Sequence, residues 1–175
     1  MLTLRSIAFA VVLAGAACAD EPTKPDAVIP PVEQGISAFV TVDNLHALPG
    51  QTVHVGVVVR SALPNVKVGS YTGRLRFDPA ALQYKGEIAI TDGLRVANPN
   101  GAAAGEIRFA GANATGFANL TLYGAEFTVR SPGYASKLTL QMEELSAAQS
   151  LANLSVQLRV VPQVFLASPQ AQPQK

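Results

Sequence analysis

Thr52–Arg60, TVHVGVVVR, is the stretch that decides the fold class. Val53, Val55, Val57 and Val59 alternate with Thr52, His54, Gly56 and Arg60, and Val58 is the one exception. A period of two built from β-branched residues marks a strand, because successive side chains leave the pleat on opposite faces. Pro49-Gly50 just before it signals a turn. On the N-terminal side, Ala38, Val40 and Val42 alternate with Phe39 and Thr41 in a preceding strand. On the C-terminal side, Tyr71, Gly73, Leu75 and Phe77 alternate with Ser70, Thr72, Arg74 and Arg76. Asp78-Pro79-Ala80-Ala81-Leu82 follows. Asp caps, Pro suits a first helical position and Leu82 returns to the core, which predicts a single helical turn.

Further strands are expected near 84–91, 94–98, 106–111, 120–129, 137–143 and 155–161. Phase breaks between Leu122 and Ala125, where Gly124 is the candidate for a bulge. Only Glu143 to Leu154 reads as helical. Short strands separated by turn signals, about nine of them, predict an all-β sandwich. Shared parity predicts a core of Val53, Val55, Val57, Tyr71, Leu75, Phe77, Ile107, Phe109, Phe127 and Val129. It places Arg74 and Arg76 on the outward side of one strand, and Glu106 and Arg108 on the outward side of another.

The 175 residues suffice for one domain. At 49% hydrophobic and 14% charged, the chain is not disordered as a whole. Met1–Ala17, MLTLRSIAFAVVLAGAA, has the order of an export signal: a positive Arg5, an apolar run Ile7–Leu13, then small residues. With that segment removed, twelve basic residues face twelve acidic ones. Electrostatics therefore argue against a nucleic-acid partner. Two cleavage readings stay open. Leu13-Ala14-Gly15-Ala16-Ala17-Cys18 resembles a lipobox, in which Cys18 becomes the lipidated first residue, although Gly15 stands where Leu is usual. Alternatively, the cut follows the small-x-small run Ala17-Cys18-Ala19. The lipoprotein reading is favoured because Cys18 is the one Cys of the chain. It predicts an exported protein, membrane-anchored or extracellular or periplasmic. Residues 19–36 carry four Pro and form a semi-extended tether. The sandwich is expected over 37–162 and a polar tail over 163–175.

Catalytic signatures are absent. There is no GxSxG, HExxH, P-loop or dinucleotide glycine fingerprint. A lone Cys makes neither an intrachain disulfide nor a thiolate metal cluster. His46 lies in a turn and His54 on an outward strand position, neither with Asp, Glu or Cys at ligand spacing. Glu143-Glu144 is an adjacent carboxylate pair, but strand neighbours point to opposite faces unless the segment bends, so it reads as a solvated strand end. Asp78 reads as a turn-former. The sequons at Asn113, Asn119 and Asn153 would matter only in a eukaryotic secretory pathway. Together these readings predict no enzyme, no metal and no cofactor.

The order of features resembles the bacterial cohesin module, the receptor domain of cellulosome scaffoldins, over about Ala38–Val161. Pro49-Gly50-Gln51-Thr52-Val53 is similar to the family's Pro-Gly-Asp-x-Val, with Gln51 departing from the usual acid. Gly69-x-x-x-Gly73-x-Leu75-x-Phe77-Asp78-Pro79-x-x-Leu82 resembles its signature strand. Gly105-x-Ile107-x-Phe109 and Leu122-x-x-Ala125-x-Phe127-x-Val129 resemble two later strands. The resemblance implies a nine-strand jelly-roll and non-catalytic recognition of dockerins, small calcium-loaded helical modules, through one sheet face. The dockerin would supply the calcium. Arg74, Arg76, Glu106 and Arg108 become the candidate contact residues. The same sandwich is related to cellulose-binding modules, so polysaccharide binding is the alternative. Trp is absent, leaving Tyr84, Tyr123 and Tyr134 as candidate stacking residues. A purely structural surface subunit is a third reading.

Overall fold

The computed structural model describes residues 35–118 and 121–167. The export signal, Cys18, the tether up to residue 34, Asn119 and the chain from Ser168 lie outside the described residues. Nine strands follow in chain order: β1 Ile36–Val42, β2 Thr52–Ser61, β3 Val68–Arg76, β4 Leu82–Glu87, β5 Leu94–Asn98, β6 Glu106–Ala112, β7 Thr121–Val129, β8 Thr139–Ala147 and β9 Leu158–Leu166. They form two sheets, a five-stranded one in the order β4-β7-β2-β1-β9 and a four-stranded one in the order β5-β6-β3-β8. Every pair is antiparallel except β1 with β9. The architecture is an all-β sandwich.

Alternation places the core where parity predicts. All ten residues expected inside are buried and belong to one cluster between the sheets. Leu75 on β3 is fully buried and lies between Ile107 of β6 and Leu140 of β8. Gly73, on the same strand, is a close-approach position: a Cβ there would stand 2.6 Å from the Phe109 ring. The Asp78 turn closes as expected, with the Ala81 and Leu82 amides both donating to the Asp78 carbonyl at 2.9 Å. The Asp78 side chain accepts from the Ala80 amide at 2.8 Å. Gly105 ends the short 3-10 segment Pro99–Ala104 at φ +80, and a Cβ there would strike the Phe77 carbonyl. Its own carbonyl accepts from the Phe77 amide at 2.8 Å, so this glycine joins the starts of β6 and the Asp78 turn.

Three expectations are corrected. Glu143–Leu154 is not helical: β8 runs to Ala147, pairing Leu145 with Tyr71 and Ala147 with Val68. Residues 152–154 then fold back, with amide bonds from Ala147 to Ala152 and from Leu154 to Leu145. Long-range pairing to β3, together with burial of Leu145, Ala147 and Leu154, overrides a weak local helical pattern. The sandwich does not stop at residue 162, because β9 continues to Leu166 and Phe165 packs edge-on against Phe39 at 5.4 Å. Pro162 is accommodated because β9 is an edge strand whose register shifts between Ala38 and Val40 of its neighbour. The irregularity in β7 is not at Gly124. Val57 pairs with Tyr123 and Val58 with Thr121, so Leu122 is the extra residue.

Candidate functional site

The outward face of the four-stranded sheet gathers the predicted residues. Register sets Arg74 opposite Arg108, and Arg76 opposite Glu106. The Glu106 carboxylate takes three arginines: Arg74 Nη1 at 3.4 Å and Arg108 Nε at 3.1 Å on Oε1, and Arg76 Nε at 3.0 Å on Oε2. Hydrogen bonds from Arg76 and Arg108 hold its carboxyl below the ordinary range. On its other side Arg74 Nε donates to Glu143 of β8. A ladder of charge therefore crosses β8, β3 and β6, and its members face one another rather than bulk water alone.

Glu143 joins the ladder because β8 bends. Thr72 pairs with Glu144 and Gly73 with Met142, which leaves Glu143 as a bulged extra residue. The bulge lets both carboxylates face outward, where an unbroken strand would have sent them to opposite faces. Glu143 meets Arg74. Glu144 lies one row further along, beside Ser70 and Thr72. The sequence pointed to neither as a site residue, since a bulge depends on the partner strand.

Beyond the ladder the same face becomes apolar. Leu94 and Val96 of β5 point outward, 69% and 57% exposed. The inward position between them belongs to Arg95, whose side chain is only 6% exposed. Arg95 donates to the carbonyls of Asp92 (2.7 Å), Thr121 (2.7 Å) and Leu122 (3.0 Å), and to the Tyr71 hydroxyl (3.1 Å). Its guanidinium also stands 4.5 Å from the Phe117 ring centroid. Asp92 in turn accepts from the Ala118 amide and the Asn113 side chain, so this sequon asparagine is already engaged. The clasp fixes the parity of β5 and hence turns Leu94 and Val96 to solvent.

The other candidates resolve differently. His54 is paired, with Nδ1 2.6 Å from Asp43 Oδ2, a partner eleven residues away that ligand spacing in sequence could not reveal. Among the described residues no group of three or more His, Cys, Asp or Glu side chains is placed to hold a metal. The three tyrosines considered for stacking are not a platform. Tyr123 is buried and stacks on Phe109 at 5.1 Å and 7°. Burial also pushes its phenol well above the ordinary range. Tyr134 is fully buried, donates to the Asn44 carbonyl and is pushed up to about 12, first by burial and then by nearby Asp43. Tyr84 is half-buried against Phe127 at 5.7 Å. The exposed large apolar residues of the described chain are Leu48, Leu94, Val96, Leu151 and Val156, none of them aromatic.

Comparison with known proteins places this geometry. The family model described as the cohesin domain matches residues 38–157. The chain belongs to the cohesin family. Cohesin domains are non-catalytic protein-binding modules, and this cohesin is not an enzyme. Among solved structures it is similar to the sixth cohesin of scaffoldin B from Acetivibrio cellulolyticus, solved in complex with a mutant Cel5 dockerin. The identity is 14% and the TM-score 0.53, covering 75% of this chain and 99% of that one. It is also similar to the second type II cohesin module of the adaptor scaffoldin ScaA of the same organism, at 13% identity and TM-score 0.52, over 79% of this chain and 100% of that one. A non-cellulosomal cohesin from the hyperthermophilic archaeon Archaeoglobus fulgidus is 19% identical with a TM-score of 0.51, over 74% of this chain and 85% of that one. At these identities the likeness is one of fold. No curated protein matches the chain in sequence.

Proposed function

We propose that this cohesin is an exported, surface-tethered module that holds a dockerin-type protein through the outward face of its four-stranded sheet, with Arg74, Arg76, Glu106 and Arg108 among the contact residues. The observation that carries the reading is the charge ladder. Glu106 is shared by three arginines on adjacent strands, so long side chains that would otherwise lose much rotamer freedom on docking are already held. The partner class is carried over from solved cohesins of the same fold, one of which is in complex with a dockerin. Export through residues 1–18, lipidation of Cys18 and the Pro-rich tether complete the reading: β1 begins at Ile36, the last residue of the stretch 19–36 read as that tether, so the sandwich takes over one residue earlier than expected. Calcium would arrive with the dockerin.

The test is calorimetric titration of calcium-loaded dockerin modules from the source organism into the protein. Complex formation that requires calcium and weakens about tenfold, or about 1.4 kcal/mol, in Arg74→Glu or Arg108→Glu is the expected result. Full affinity in both variants would remove this face from the reading. Retention on insoluble cellulose or chitin with no dockerin bound would replace it with the polysaccharide alternative.

A further inference from the structure

The outward face of the five-stranded sheet carries an apolar cluster separate from the core between the sheets. On β1, Ile36, Ala38, Val40 and Val42 enter that core, so Phe39 and Thr41 point the other way. Phe39 pairs with Val58 of β2, and Thr41 with Phe165 of β9. Phe39, Val58 and Phe165 form one cluster with the half-buried Val161, all four within the sheet itself. Yet Phe39 is only 2% exposed, Phe165 3% and Val58 8%. Thr41 beside them is buried as well.

Neighbours within a sheet screen the flanks of a side chain and leave its tip open. The four-stranded sheet shows what an open face looks like: Thr72 and Ala110 on its central strands stay half-buried, and Arg108, Leu94 and Val96 are exposed. Burial on the five-stranded face is also local, since His54 and Arg60 of β2 and Gln163 of β9 are exposed. The aromatic pair at its middle therefore calls for a cover that strands β1, β2 and β9 do not provide.

Two stretches flank the described sandwich in the exported protein. The tail Ser168–Lys175, SPQAQPQK, offers no branched aliphatic side chain. The tether contains Ala27-Val28-Ile29-Pro30-Pro31-Val32, three branched aliphatic residues around a proline pair. Such a segment is suited to an aromatic surface, because polyproline II is set in advance by the fixed φ of proline and little entropy is lost on docking. The reach also fits. Phe39 lies three residues into β1, about 10 Å from Ile36. Val28–Val32 stand three to seven residues before Gly35, or about 9–22 Å at the polyproline rise. Gly35 is left-handed at φ +69, and its carbonyl accepts from the Ala62 amide at 2.9 Å. The chain thus turns as it enters β1, which lets the preceding segment double back over that strand.

We infer that the tether is a strap: Val28–Val32 lies over Phe39, Val58 and Phe165 on the outward face of the five-stranded sheet. Only residues 19–27 then remain as a free spacer. The anchored end leaves from the side opposite the charge ladder, so that, on the reading above, the partner face points away from the membrane. The test is NMR on the exported protein with tether, sandwich and tail intact. Nuclear Overhauser contacts are expected from the Phe39 and Phe165 rings to the methyl groups of Val28, Ile29 or Val32. Ile29→Asp is expected to shift the Phe39 and Phe165 ring signals and to leave those of Phe77 and Phe127, in the core, in place; Ile29→Leu should keep all four. Absence of these contacts, or ring signals indifferent to Ile29→Asp, overturns the strap. Contacts to Pro169 or Ala171 instead would give the cover to the tail. Contacts seen only between labelled and unlabelled molecules in a mixed sample would give it to a second copy. Either result overturns the inference.

Discussion

Arg95→Met removes a buried cation while keeping most of its stem. In the folded protein the guanidinium serves three carbonyls and a hydroxyl, lies 3.8 Å from Asp92 Oδ2 and covers Phe117. The loss is not evenly spread. The Leu122 carbonyl keeps a bond from the Tyr71 hydroxyl at 2.5 Å, whereas the Thr121 and Asp92 carbonyls lose a charged donor. A hydrogen bond to a charged group contributes about 1.5–3 kcal/mol, and breaking a buried charge pair costs about 3–5 kcal/mol. Asp92 is 26% exposed, so water recovers part of the loss there. The expected destabilisation is therefore about 3 kcal/mol, which lowers Tm by roughly 10 °C in a domain of this size. With no Trp in the chain, urea denaturation is best followed by far-ultraviolet circular dichroism. Arg76→Met is the control: its side chain is 52% exposed, and its removal should change stability by no more than about 0.5 kcal/mol. If Arg95→Met unfolds within about 1 kcal/mol of the parent, at an unchanged slope in urea, the clasp does not stabilise this end of the sandwich and the argument fails.

Leu75→Ala, at a fully buried position on a central strand, should cost about 2–5 kcal/mol in the same assay, and a nearly neutral result would refute the core assignment. Glu106 has a lowered folded-state pKa, so its stabilising contribution is complete above the unfolded value of about 4.3 and is lost as pH falls through the folded value. The stability difference between the parent and Glu106→Gln should accordingly be flat near neutral pH and shrink in acid. A difference that grows on acidification would reverse the sign and sink the account. For the N-terminus, mass spectrometry of the exported protein should find a lipid-modified Cys18, and a free terminus at Asp20 would leave export without the anchor.

Much of this architecture is local in origin. Alternation in Thr52–Arg60, Ser70–Phe77 and Glu106–Phe109 decided both which side chains enter the core and that Arg74, Arg76, Glu106 and Arg108 face outward. A pleated strand with one strongly apolar row has a single way to bury it. The Asp78-Pro79 turn was equally legible, because its hydrogen bonds close within five residues. Pairing of those outward charges was not, since Glu106 and Arg74 meet only across a register that the partner strands settle. Nor was the bulge that turns Glu143 and Glu144 to one face, for the extra residue is defined only against β3. His54 found Asp43 by the same route, across a turn.

β5 shows most plainly where local reading ends. In Leu94-Arg95-Val96-Ala97-Asn98 the apolar pair and the arginine alternate, and hydrophobicity alone would bury Leu94 and Val96. The protein does the opposite. At this edge of the sandwich the carbonyls of Thr121 and Leu122, beside the β7 bulge, and of Asp92 converge on the Arg95 guanidinium. Arg95 holds this parity with a set of charge-assisted hydrogen bonds to three carbonyls and a hydroxyl, together with its contact on Phe117, and Leu94 and Val96 are left on the outer side. The sequence by itself determined the strands, the sandwich and the charged half of the outward face. Only the tertiary structure could decide that its other half would turn Leu94 and Val96 to solvent, because that outcome depends on where distant carbonyls meet.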